Sequence, residues 1–359
     1  MAGPFAWSEG HEQVVYGNDP ASGLRCIIAI HSTRLGPSLG GTRFRAYDSE
    51  EEALVDVLRL SRAMTYKAAC AGLDLGGGKA VIIGEPAEVR SEALLRAYGR
   101  MIESLGGRYI TACDVGTTPD DMTMVSRETR WATGMDEAHG GSGDSGVPTA
   151  RGVFLAMRAA AEHRWGSPSL DGRHVAVQGL GKVGRRLVGH LLDDGAKVSA
   201  ADVDPDALAE VGALPGVEIV DVEDVLLTDA EIVSPNALGG VLHAQMISEL
   251  RAEIVCGGAN NQLVEVEDAA RLHERGILYA PDYVVNAGGL INVSDELAPG
   301  GHRSDRVEHR LEQIPRTLAE IFARARDENV PTELAAERVA ESRIERIGGL
   351  RRLWLPGAS

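Results

Sequence analysis

The sequence predicts an α/β fold of two domains, and three observations support this prediction. With 359 residues, two domains are favoured over one. In the second half, short apolar runs alternate with helical patterns, which is typical of a parallel sheet with crossover helices. A glycine-rich polar stretch at residues 134–148 separates that half from a first half of mixed strands and helices, and it suits a domain linker.

The first half begins with a strand and a long helix. "LRCIIAIHS" (24–32) is apolar and β-prone, which predicts a strand. Ser49 followed by three glutamates indicates a helix start, and apolar residues at helical spacing continue towards a stop at Gly72. The triple glycine at 76–78 predicts a turn that leads into the strand "KAVIIG". Two further elements are a helix at 92–105 and a short strand within 108–118.

The second half alternates more regularly. A helix from Thr149 to near His163 leads into the strand "RHVAVQG", the helix "VGRRLVGHLLDDG" and the strand "AKVSAAD". Further runs that predict strands are "VEIV", "AEIVSP", "AEIVCGG" and "GILYAP", and from Asp305 the pattern is helical. We therefore expect a first domain at 1–134, a doubly wound parallel domain at 135–330 and a C-terminal helical segment at 331–359 that returns to the first domain.

Composition and charge exclude several classes of protein. The 53 acidic residues outnumber the 36 basic ones and give a formal charge of −17, which disfavours nucleic acid as a partner. We expect reduced thiols, no metal site and a cytoplasmic protein, because the cysteines lack metal-ligand spacing. The N-terminal residues lack a signal-peptide pattern, and no apolar stretch approaches the roughly 18 residues of a membrane span.

"VQGLGKVG" contains a G-x-G-x-x-G pattern at Gly179, Gly181 and Gly184. It follows a predicted strand, opens a predicted helix and precedes a second strand that ends at Asp202, as in a Rossmann-type dinucleotide-binding domain. Gly179 would allow the tight turn, Gly181 the approach of a pyrophosphate, and Gly184 the packing of helix on strand. A tight turn without a ligand is the structural alternative.

Asp202 favours NAD over NADP as the cofactor. Its carboxylate would accept hydrogen bonds from both ribose hydroxyls and would repel a 2′-phosphate. The following "VDPD" offers no Arg or Lys to receive such a phosphate.

"GLDLGGGKAVIIG" places Lys79 between three glycines and an apolar run. A phosphate-binding loop would need Ser or Thr after the lysine, and Ala80 stands there. A reactive amine is the better interpretation, because an apolar setting favours the uncharged form that a general base needs. Lys67 could then hold a substrate carboxylate, and Asp114 could exchange a proton with the amine or bind an ammonium group. A solvated lysine and a turn-forming aspartate are the structural alternatives.

Seven blocks together resemble the amino-acid dehydrogenases that act on glutamate, leucine, phenylalanine and valine, and the leucine and valine enzymes look closest. In chain order the blocks are "GGTRF", "MTYKAACAGLDLGGGKAVIIG", "TACDVGTTPDDM", "GGSGDSG", "VQGLGKVG", "CGGANNQL" and "GILYAPDYVVNAGGLINVSDEL". The resemblance implies NAD-dependent oxidative deamination of an amino acid to a 2-oxo acid and ammonia. It also implies a cleft between a substrate domain and a Rossmann domain, and a homo-oligomer built through the first domain.

The resemblance also implies roles for residues. Lys79 would be the catalytic base, in an apolar setting with a neighbouring positive charge; Asp114 would assist proton transfer, and Lys67 would hold the substrate carboxylate. The residues expected beside the cofactor are Thr149, Gly179, Gly181, Lys182, Val183, Gly184, Asp202, Asn236 and Asn260. Those expected around the substrate are Leu39, Gly40, Met64, Ala112, Asn261, Leu290 and Val293.

The side-chain pocket implied by the resemblance is apolar and offers no cation for a second carboxylate, which disfavours glutamate. Leu39 and Leu290 should leave too little room for an aromatic ring, so a branched aliphatic substrate, valine or leucine, is expected. Ordinary core packing is the structural alternative for these residues. The sequence departs from the family pattern at Gly146-Val147, Asn236 and Leu290, which bears on substrate preference and cofactor affinity.

Two alternative functions stay open. One is phenylalanine dehydrogenase. The other is a catalytically silent sensor of amino acids or nucleotides on the same fold. The presence of Lys67, Lys79 and Asp114 argues against the sensor, because a sensor needs no base.

Overall fold

The chain forms two compact α/β units. The computed structural model describes residues 10–349. The described part of the first unit comprises residues 10–143, 292–304 and 340–349, and the second unit comprises Asp144–Ile291 and Asp305–Val339. The predicted fold class, two α/β domains of which the second is built on a doubly wound parallel sheet, is confirmed.

The chain passes between the units more often than the sequence pattern suggests. The first division follows residue 143 rather than 134, and the expected C-terminal segment is divided, with 331–339 in the second unit and 340–349 in the first. Residues 292–304, expected in the second domain, belong to the first unit. Hydropathy along the chain does not report such returns, because they depend on contacts between distant segments.

One such contact fixes residues 292–304 within the first unit. The carboxylate of Glu296 accepts hydrogen bonds of 2.9 Å from the backbone N–H groups of Gly134 and Ser142. The glycine-rich stretch expected as a linker is therefore held at Gly134 and Ser142 by the side chain of a residue far along the chain.

Within the described residues, the first unit contains a five-stranded sheet. Its strands are β1 (Gln13–Asp19), β2 (Leu24–Ser32), β3 (Ser38–Arg45), β4 (Gly76–Ile83) and β5 (Tyr109–Cys113). The helices up to residue 143 are α1 (Glu50–Cys70), α2 (Pro86–Val89), α3 (Glu92–Glu103) and α4 (Pro119–Val125), with a 3₁₀ turn at Glu137–His139. The predicted start of α1 is confirmed, because the Ser49 hydroxyl accepts a hydrogen bond from the Glu52 N–H.

Strand β4 lies at the centre of this sheet, in the order β1-β2-β4-β3-β5. It pairs antiparallel with β2 and parallel with β3, which pairs parallel with β5. Helix α1 covers one face, where Val57 and Leu58 pack with Val81. Helix α3 covers the other face, where Leu94 packs with Ile82. The sequence patterns do not indicate β1 or β3.

In the described part of the second unit, six parallel strands form one sheet. They are β6 (His174–Gln178), β7 (Lys197–Ala201), β8 (Val217–Ile219), β9 (Ile232–Pro235), β10 (Ile254–Val255) and β11 (Leu278–Tyr279). The remaining helices in chain order are α5 (Gly146–Trp165), α6 (Gly184–Asp193), α7 (Pro205–Gly212), α8 (Ala244–Glu249), α9 (Glu267–Glu274), α10 (Asp282–Val285), α11 (Gly288–Asp295), α12 (Ser304–Leu311), α13 (Gln313–Glu328) and α14 (Thr332–Gly348), with a 3₁₀ turn at Val225–Leu227. Across residues 10–349, none of the helices combines the length and apolarity needed to cross a bilayer.

The second sheet has the strand order β11-β10-β9-β6-β7-β8. In this sheet the chain starts at β6, adds β7 and β8 on one side, and then returns to add β9, β10 and β11 on the other side, so the strand order reverses next to β6. The predicted strands of this half are confirmed. In open parallel sheets, ligands bind beyond the carboxyl ends of the strands at such a reversal. The segment that leaves β6 is the G-x-G-x-x-G turn, so the fold puts this motif at the position where a ligand is expected.

Helix α5 starts at Gly146 rather than at the predicted Thr149. The carboxylate of Asp144 accepts a hydrogen bond of 2.9 Å from the Gly146 N–H, which supports the earlier start. Pro148 lies in the first turn, where a missing N–H costs nothing.

Candidate active site

The three glycines before Lys79 belong to strand β4, so the predicted glycine turn is wrong. A Cβ at Gly77 would lie 2.1 Å from the backbone nitrogen of Thr65 on α1. A Cβ at Gly76 would lie 1.9 Å from the carbonyl oxygen of Ser32. Glycine is present at these positions because α1 and the end of β2 approach the backbone of β4 too closely for any side chain.

This close packing withdraws Lys79 from water. The residue is only 6% exposed. Side chains alternate along a strand, so Lys79 shares with Gly77 and Val81 the face that α1 covers. The amine is thus held on the central strand, beneath the longest helix of the first unit.

Asp114 follows β5 and is held by a tight turn. Its backbone N–H donates to the Thr117 hydroxyl at 2.8 Å, and that hydroxyl donates to the Thr42 carbonyl at 2.9 Å. Gly116 has a φ of 81°, and a Cβ there would lie 1.8 Å from the carbonyl oxygen of Phe44. Glycine is therefore required both for the backbone conformation and for the close approach. These contacts account for the "DVGT" block.

Lys79 and Asp114 meet in the folded chain. The distance from Lys79 Nζ to Asp114 Oδ2 is 2.7 Å. Burial by itself would raise the pKa of Asp114, but the charges of Lys79 and Arg43 outweigh burial and hold that pKa below its ordinary value. An ionised carboxylate therefore lies one hydrogen bond from the amine, which is the arrangement that proton exchange requires.

A second cation contacts the same carboxylate. The Nε atom of Arg43 donates to Asp114 Oδ2 at 3.3 Å, and its Nη1 atom donates to Asp56 Oδ2 at 2.9 Å. Asp56 also accepts a hydrogen bond of 2.9 Å from the Tyr47 hydroxyl. No sequence pattern indicates Asp56, and the only signal for Arg43 is its position in the "GGTRF" block. We refer to Lys79, Asp114, Arg43 and Asp56 as the charged cluster.

Six of the residues expected around the substrate lie in the first unit: Lys67, Leu39, Gly40, Met64, Ala112 and Val293. Lys67 is half-buried in the last turn of α1. Leu39 is buried and pairs with Gly77, two residues before Lys79. Gly40 is a packing position, because its carbonyl accepts a 2.7 Å hydrogen bond from Tyr109 and a Cβ there would meet the Gly78 carbonyl.

In the second unit, the G-x-G-x-x-G segment is closed on one side and open on the other. Gly179 has a φ of 91°, and a Cβ at Gly184 would lie 1.8 Å from the Gly179 carbonyl oxygen, so α6 packs directly on the turn. Gly181 is exposed, and none of the described atoms lies within 4 Å of the position of a Cβ there. A pyrophosphate could approach the backbone at Gly181, where the N-terminus of α6 offers N–H groups and positive potential.

Asp202 follows β7, beside this turn. Its carboxylate accepts hydrogen bonds from the backbone N–H groups of Leu180 and Asp204. Burial raises the pKa of Asp202, but these N–H groups and that of Val203 outweigh burial and hold the pKa below its ordinary value. The carboxylate is therefore charged, and it keeps lone pairs for further donors such as ribose hydroxyls. The open turn and this carboxylate fit a dinucleotide.

The other residues expected to bind cofactor or substrate in the second unit are Thr149, Lys182, Val183, Asn236, Asn260, Asn261 and Leu290. Thr149 lies in the first turns of α5, and its hydroxyl donates to the Ser145 carbonyl at 2.7 Å. Lys182 and Val183 form the middle of the glycine turn, with Lys182 exposed. Leu290 is buried.

The three asparagines differ in their surroundings. Asn236 bridges two chain segments, because its Nδ2 donates to the Ser234 carbonyl and its Oδ1 accepts from the Gly258 N–H. Asn260 accepts a 2.8 Å hydrogen bond from the buried Asn286. Asn261 is exposed and has a φ of 53°. The bridge uses both capacities of the Asn236 amide, which can donate and accept.

Two models of one protein family match segments that together cover most of the chain. Residues 11–131 match the family model described as the Glu/Leu/Phe/Val dehydrogenase dimerisation domain. Residues 140–210 and 205–347 match the model described as glutamate/leucine/phenylalanine/valine dehydrogenase.

Individual proteins agree with the family models. The valine dehydrogenase of Streptomyces virginiae is 55% identical over 338 residues, which cover 93% of this chain and 94% of that protein. The leucine dehydrogenase of Geobacillus stearothermophilus is 50% identical over 335 residues, which cover 93% and 91%. The crystal structure of L-tryptophan dehydrogenase from Nostoc punctiforme matches with a TM-score of 0.85 and 46% identity, over 94% of this chain and 96% of that one. The chain therefore belongs to the glutamate/leucine/phenylalanine/valine dehydrogenase family and is an amino-acid dehydrogenase.

Proposed function

We propose that this protein catalyses the reversible, NAD-dependent oxidative deamination of a branched-chain L-amino acid, valine or leucine, to the 2-oxo acid and ammonia. The observation that carries the proposal is the 2.7 Å contact between the buried amine of Lys79 and the carboxylate of Asp114. The substrate class is supported by the relatives named valine and leucine dehydrogenase, which are 55% and 50% identical to this chain.

The charged cluster supplies the proton chemistry of this reaction. When bound, the nicotinamide cofactor supplies a hydride acceptor, and the substrate is then an iminium. Lys79 Nζ takes a proton from water while the water oxygen bonds to the α-carbon. Lys79 and Asp114 then pass this proton to the amino nitrogen. The C–N bond breaks while the hydroxyl group of the intermediate gives its proton back to Lys79, so that ammonia and the 2-oxo acid remain. Asn260 and Asn261 are expected near the reacting groups, and Thr149 near the nicotinamide amide.

The substrate is recognised by one cation and an apolar lining. Lys67 is proposed to pair with the α-carboxylate. The lining proposed for the side chain consists of Leu39, Gly40, Met64, Ala112, Leu290 and Val293. A difference of one methylene in such a lining is worth about 1–3 kcal/mol. We therefore expect graded rates for valine and leucine rather than exclusion of either one.

The segment after β7 supports NAD rather than NADP. "DVDPD" contains the carboxylates of Asp202, Asp204 and Asp206 and no Arg or Lys. A 2′-phosphate would meet three negative charges there, whereas the free hydroxyls of NAD can donate to Asp202. The glycines of the preceding turn and Lys182, Val183 and Asn236 complete the proposed cofactor site.

The direct test is the appearance of NADH at 340 nm at alkaline pH. The purified protein is assayed with L-valine, L-leucine, L-phenylalanine and L-glutamate, each with NAD and with NADP, and with D-valine as the control. We expect turnover of L-valine and L-leucine with NAD. Turnover of L-phenylalanine alone would contradict the substrate class, and NAD binding without turnover of any amino acid would favour a sensor.

The proposal extends to assembly and location. A homo-oligomer formed through the first unit is supported by the family model matched by residues 11–131, which is described as a dimerisation domain. A cytoplasmic location is supported by the scattered spacing of the four cysteines, Cys26, Cys70, Cys113 and Cys256, which is typical of reduced thiols. Light scattering should give a mass at least twice the 38.1 kDa of one chain, and a monomer would contradict the proposal.

A further inference from the structure

The charged cluster extends beyond the two residues that exchange protons. Asp114 Oδ2 accepts hydrogen bonds from Lys79 Nζ at 2.7 Å and from Arg43 Nε at 3.3 Å. Arg43 Nη1 donates to both oxygens of Asp56, at 2.9 and 3.2 Å. Four charges of alternating sign therefore form a continuous chain on the face of the sheet that α1 covers.

Each member of the cluster comes from a different element: Lys79 from β4, Asp114 from the turn after β5, Arg43 from β3 and Asp56 from α1. The side chains of Arg43 and Asp56 are only 18% and 13% exposed. Charges so shielded interact more strongly than a pair on the surface. If the ion pair of Arg43 and Asp56 served only to join β3 to α1, Arg43 would not need its further contact with Asp114.

We propose that Arg43 is a positioning residue for proton transfer and that Asp56 holds it against Asp114. This inference rests on the proposed function of Lys79 and Asp114. A guanidinium stays charged throughout the working range and cannot accept a proton. Arg43 therefore confines the exchanging proton to Lys79 and Asp114. It holds the Asp114 carboxylate on the side away from Lys79, and its positive charge disfavours the binding of a further proton by Lys79 and Asp114.

The other ionisable groups around the cluster do not compete for this role. Burial raises the pKa of Cys113, the neighbour of Asp114 along the chain, and of Tyr109, each to about 12, so both stay neutral at working pH. Burial also raises the pKa of Tyr47, which donates to Asp56. Arg59 lies 3.5 Å from Asp56, and its side chain is 63% exposed, so solvent screens its charge.

The test compares pH profiles of kcat and kcat/KM for the wild type, Arg43→Gln and Arg45→Gln. Arg45 is the matched control, because it lies on the same strand and pairs instead with Glu52 of α1 at 2.7 Å. Removal of the Arg43 charge makes protonation of the pair easier. We expect the acid limb of Arg43→Gln to move to higher pH by about one unit. We also expect kcat to fall about 10-fold, with the NAD KM unchanged. Arg45→Gln should keep the wild-type limb.

Two further variants separate positioning from folding. Asp56→Asn removes a negative charge and can still accept from Arg43, so its acid limb should move to lower pH. Arg43→Lys keeps the charge and should restore the limb towards that of the wild type. If the acid limbs of the pH profiles coincide for Arg43→Gln and the wild type, the inference is overturned and the proposed function stands.

A second readout does not depend on turnover. The carboxyl carbon of Asp114 is titrated by ¹³C NMR in the wild type and in Arg43→Gln, with Asp114→Asn for assignment. A higher pKa of Asp114 in Arg43→Gln supports the inference, and an unchanged pKa overturns it. A wild type that turns over no amino acid would defeat the proposed function together with the inference that rests on it, and the titration would then report only whether Arg43 lowers the pKa of Asp114.

Discussion

Lys79 differs from the other lysines of this chain in its surroundings. It is 6% exposed, whereas Lys182 and Lys197 are exposed. The sequence predicts an apolar setting and a neighbouring positive charge. The charged group in direct contact with Lys79 is the carboxylate of Asp114, and the positive charge of Arg43 lies on the far side of that carboxylate. In the proposed reaction, a proton that the Lys79 amine gives up therefore has an acceptor one hydrogen bond away.

At the residue scale, Lys79→Ala should reduce turnover by about 10³-fold, because general acid–base catalysis of this kind contributes 10²–10⁴-fold. The affinity for NAD should stay nearly unchanged, because the proposed nucleotide site lies in the second unit. Turnover is measured at 340 nm and NAD binding by calorimetry. Lys197→Ala, which removes an exposed lysine from β7, is the control. A fully active Lys79→Ala would contradict the assignment of the base.

At the scale of elements, the contact of α1 with β4 determines where the amine lies. Gly77 lets the Thr65 backbone approach the strand, and Lys79 follows two residues later on the same face. The same helix supplies Asp56 to the charged cluster and contains Lys67 in its last turn. The close contact of α1 with β4 thus positions residues from both elements.

Gly77→Ala should destabilise the protein by about 1–3 kcal/mol, because its Cβ would meet backbone that cannot move away. Unfolding in urea measures the change. Gly189→Ala in α6 is the matched control, since no atom of the described residues lies within 4 Å of a Cβ there. The control should be neutral or slightly stabilising, because alanine favours a helix. Equal stability of Gly77→Ala and the wild type would contradict this account of the strand.

The first turn of α14 contains Glu333, a half-buried residue whose carboxyl oxygen Oε2 is buried. Burial, and then the charges of Asp282 and Glu337, raise the pKa of Glu333 from 4.5 to about 8. Between these two values the folded protein binds a proton that the unfolded chain does not bind. The stability of the fold therefore falls as pH rises through this window.

Glu333→Gln removes this titration and should remove its pH dependence. We expect the variant to unfold at least about 2 °C above the wild type at pH 9 and at nearly the same temperature at pH 5. Thermal unfolding followed by circular dichroism measures the difference. Glu320→Gln, an exposed position on α13, should match the wild type at both pH values. A Glu333→Gln variant without a gain at pH 9 would show that Glu333 is not protonated in the fold.

At the scale of the whole molecule, the proposed chemistry is divided between two sheets of different kinds. The mixed sheet of the first unit contains the charged cluster near its central strand. In the parallel sheet of the second unit, strand β6 leads into the open glycine turn, at the point where the strand order reverses. Each sheet type suits its task, because proton exchange needs buried facing side chains and nucleotide binding needs exposed backbone N–H groups.

Saturating NAD should raise the unfolding temperature, and NADP should have a much smaller effect. A ligand at 100 times its Kd stabilises the folded state by about 2.7 kcal/mol. Thermal unfolding with each nucleotide measures the difference. Lys79→Ala should show the same NAD response as the wild type. An equal response to NADP would contradict the role of Asp202.

Local sequence patterns predict much of this protein. The strand at 24–32, the capped start of α1 and the strands of the parallel sheet follow from side-chain periodicity and capping residues. The G-x-G-x-x-G turn after β6 follows from glycine spacing in a strand–turn–helix context. These features depend on residues near one another along the chain, which is why the sequence is sufficient for them.

Tertiary contacts alone decide the rest. The three glycines look like a turn in the sequence and form part of strand β4 in the fold. Side chains are excluded at Gly76 and Gly77 because Ser32 of β2 and Thr65 of α1 occupy the space that they would need. Arg43 and Asp56 become parts of one site only when β3, β5 and α1 are assembled. The return of residues 292–304 to the first unit likewise depends on contacts made far along the chain. Local periodicity carries no information about which distant segments will meet, so only the folded chain shows these arrangements.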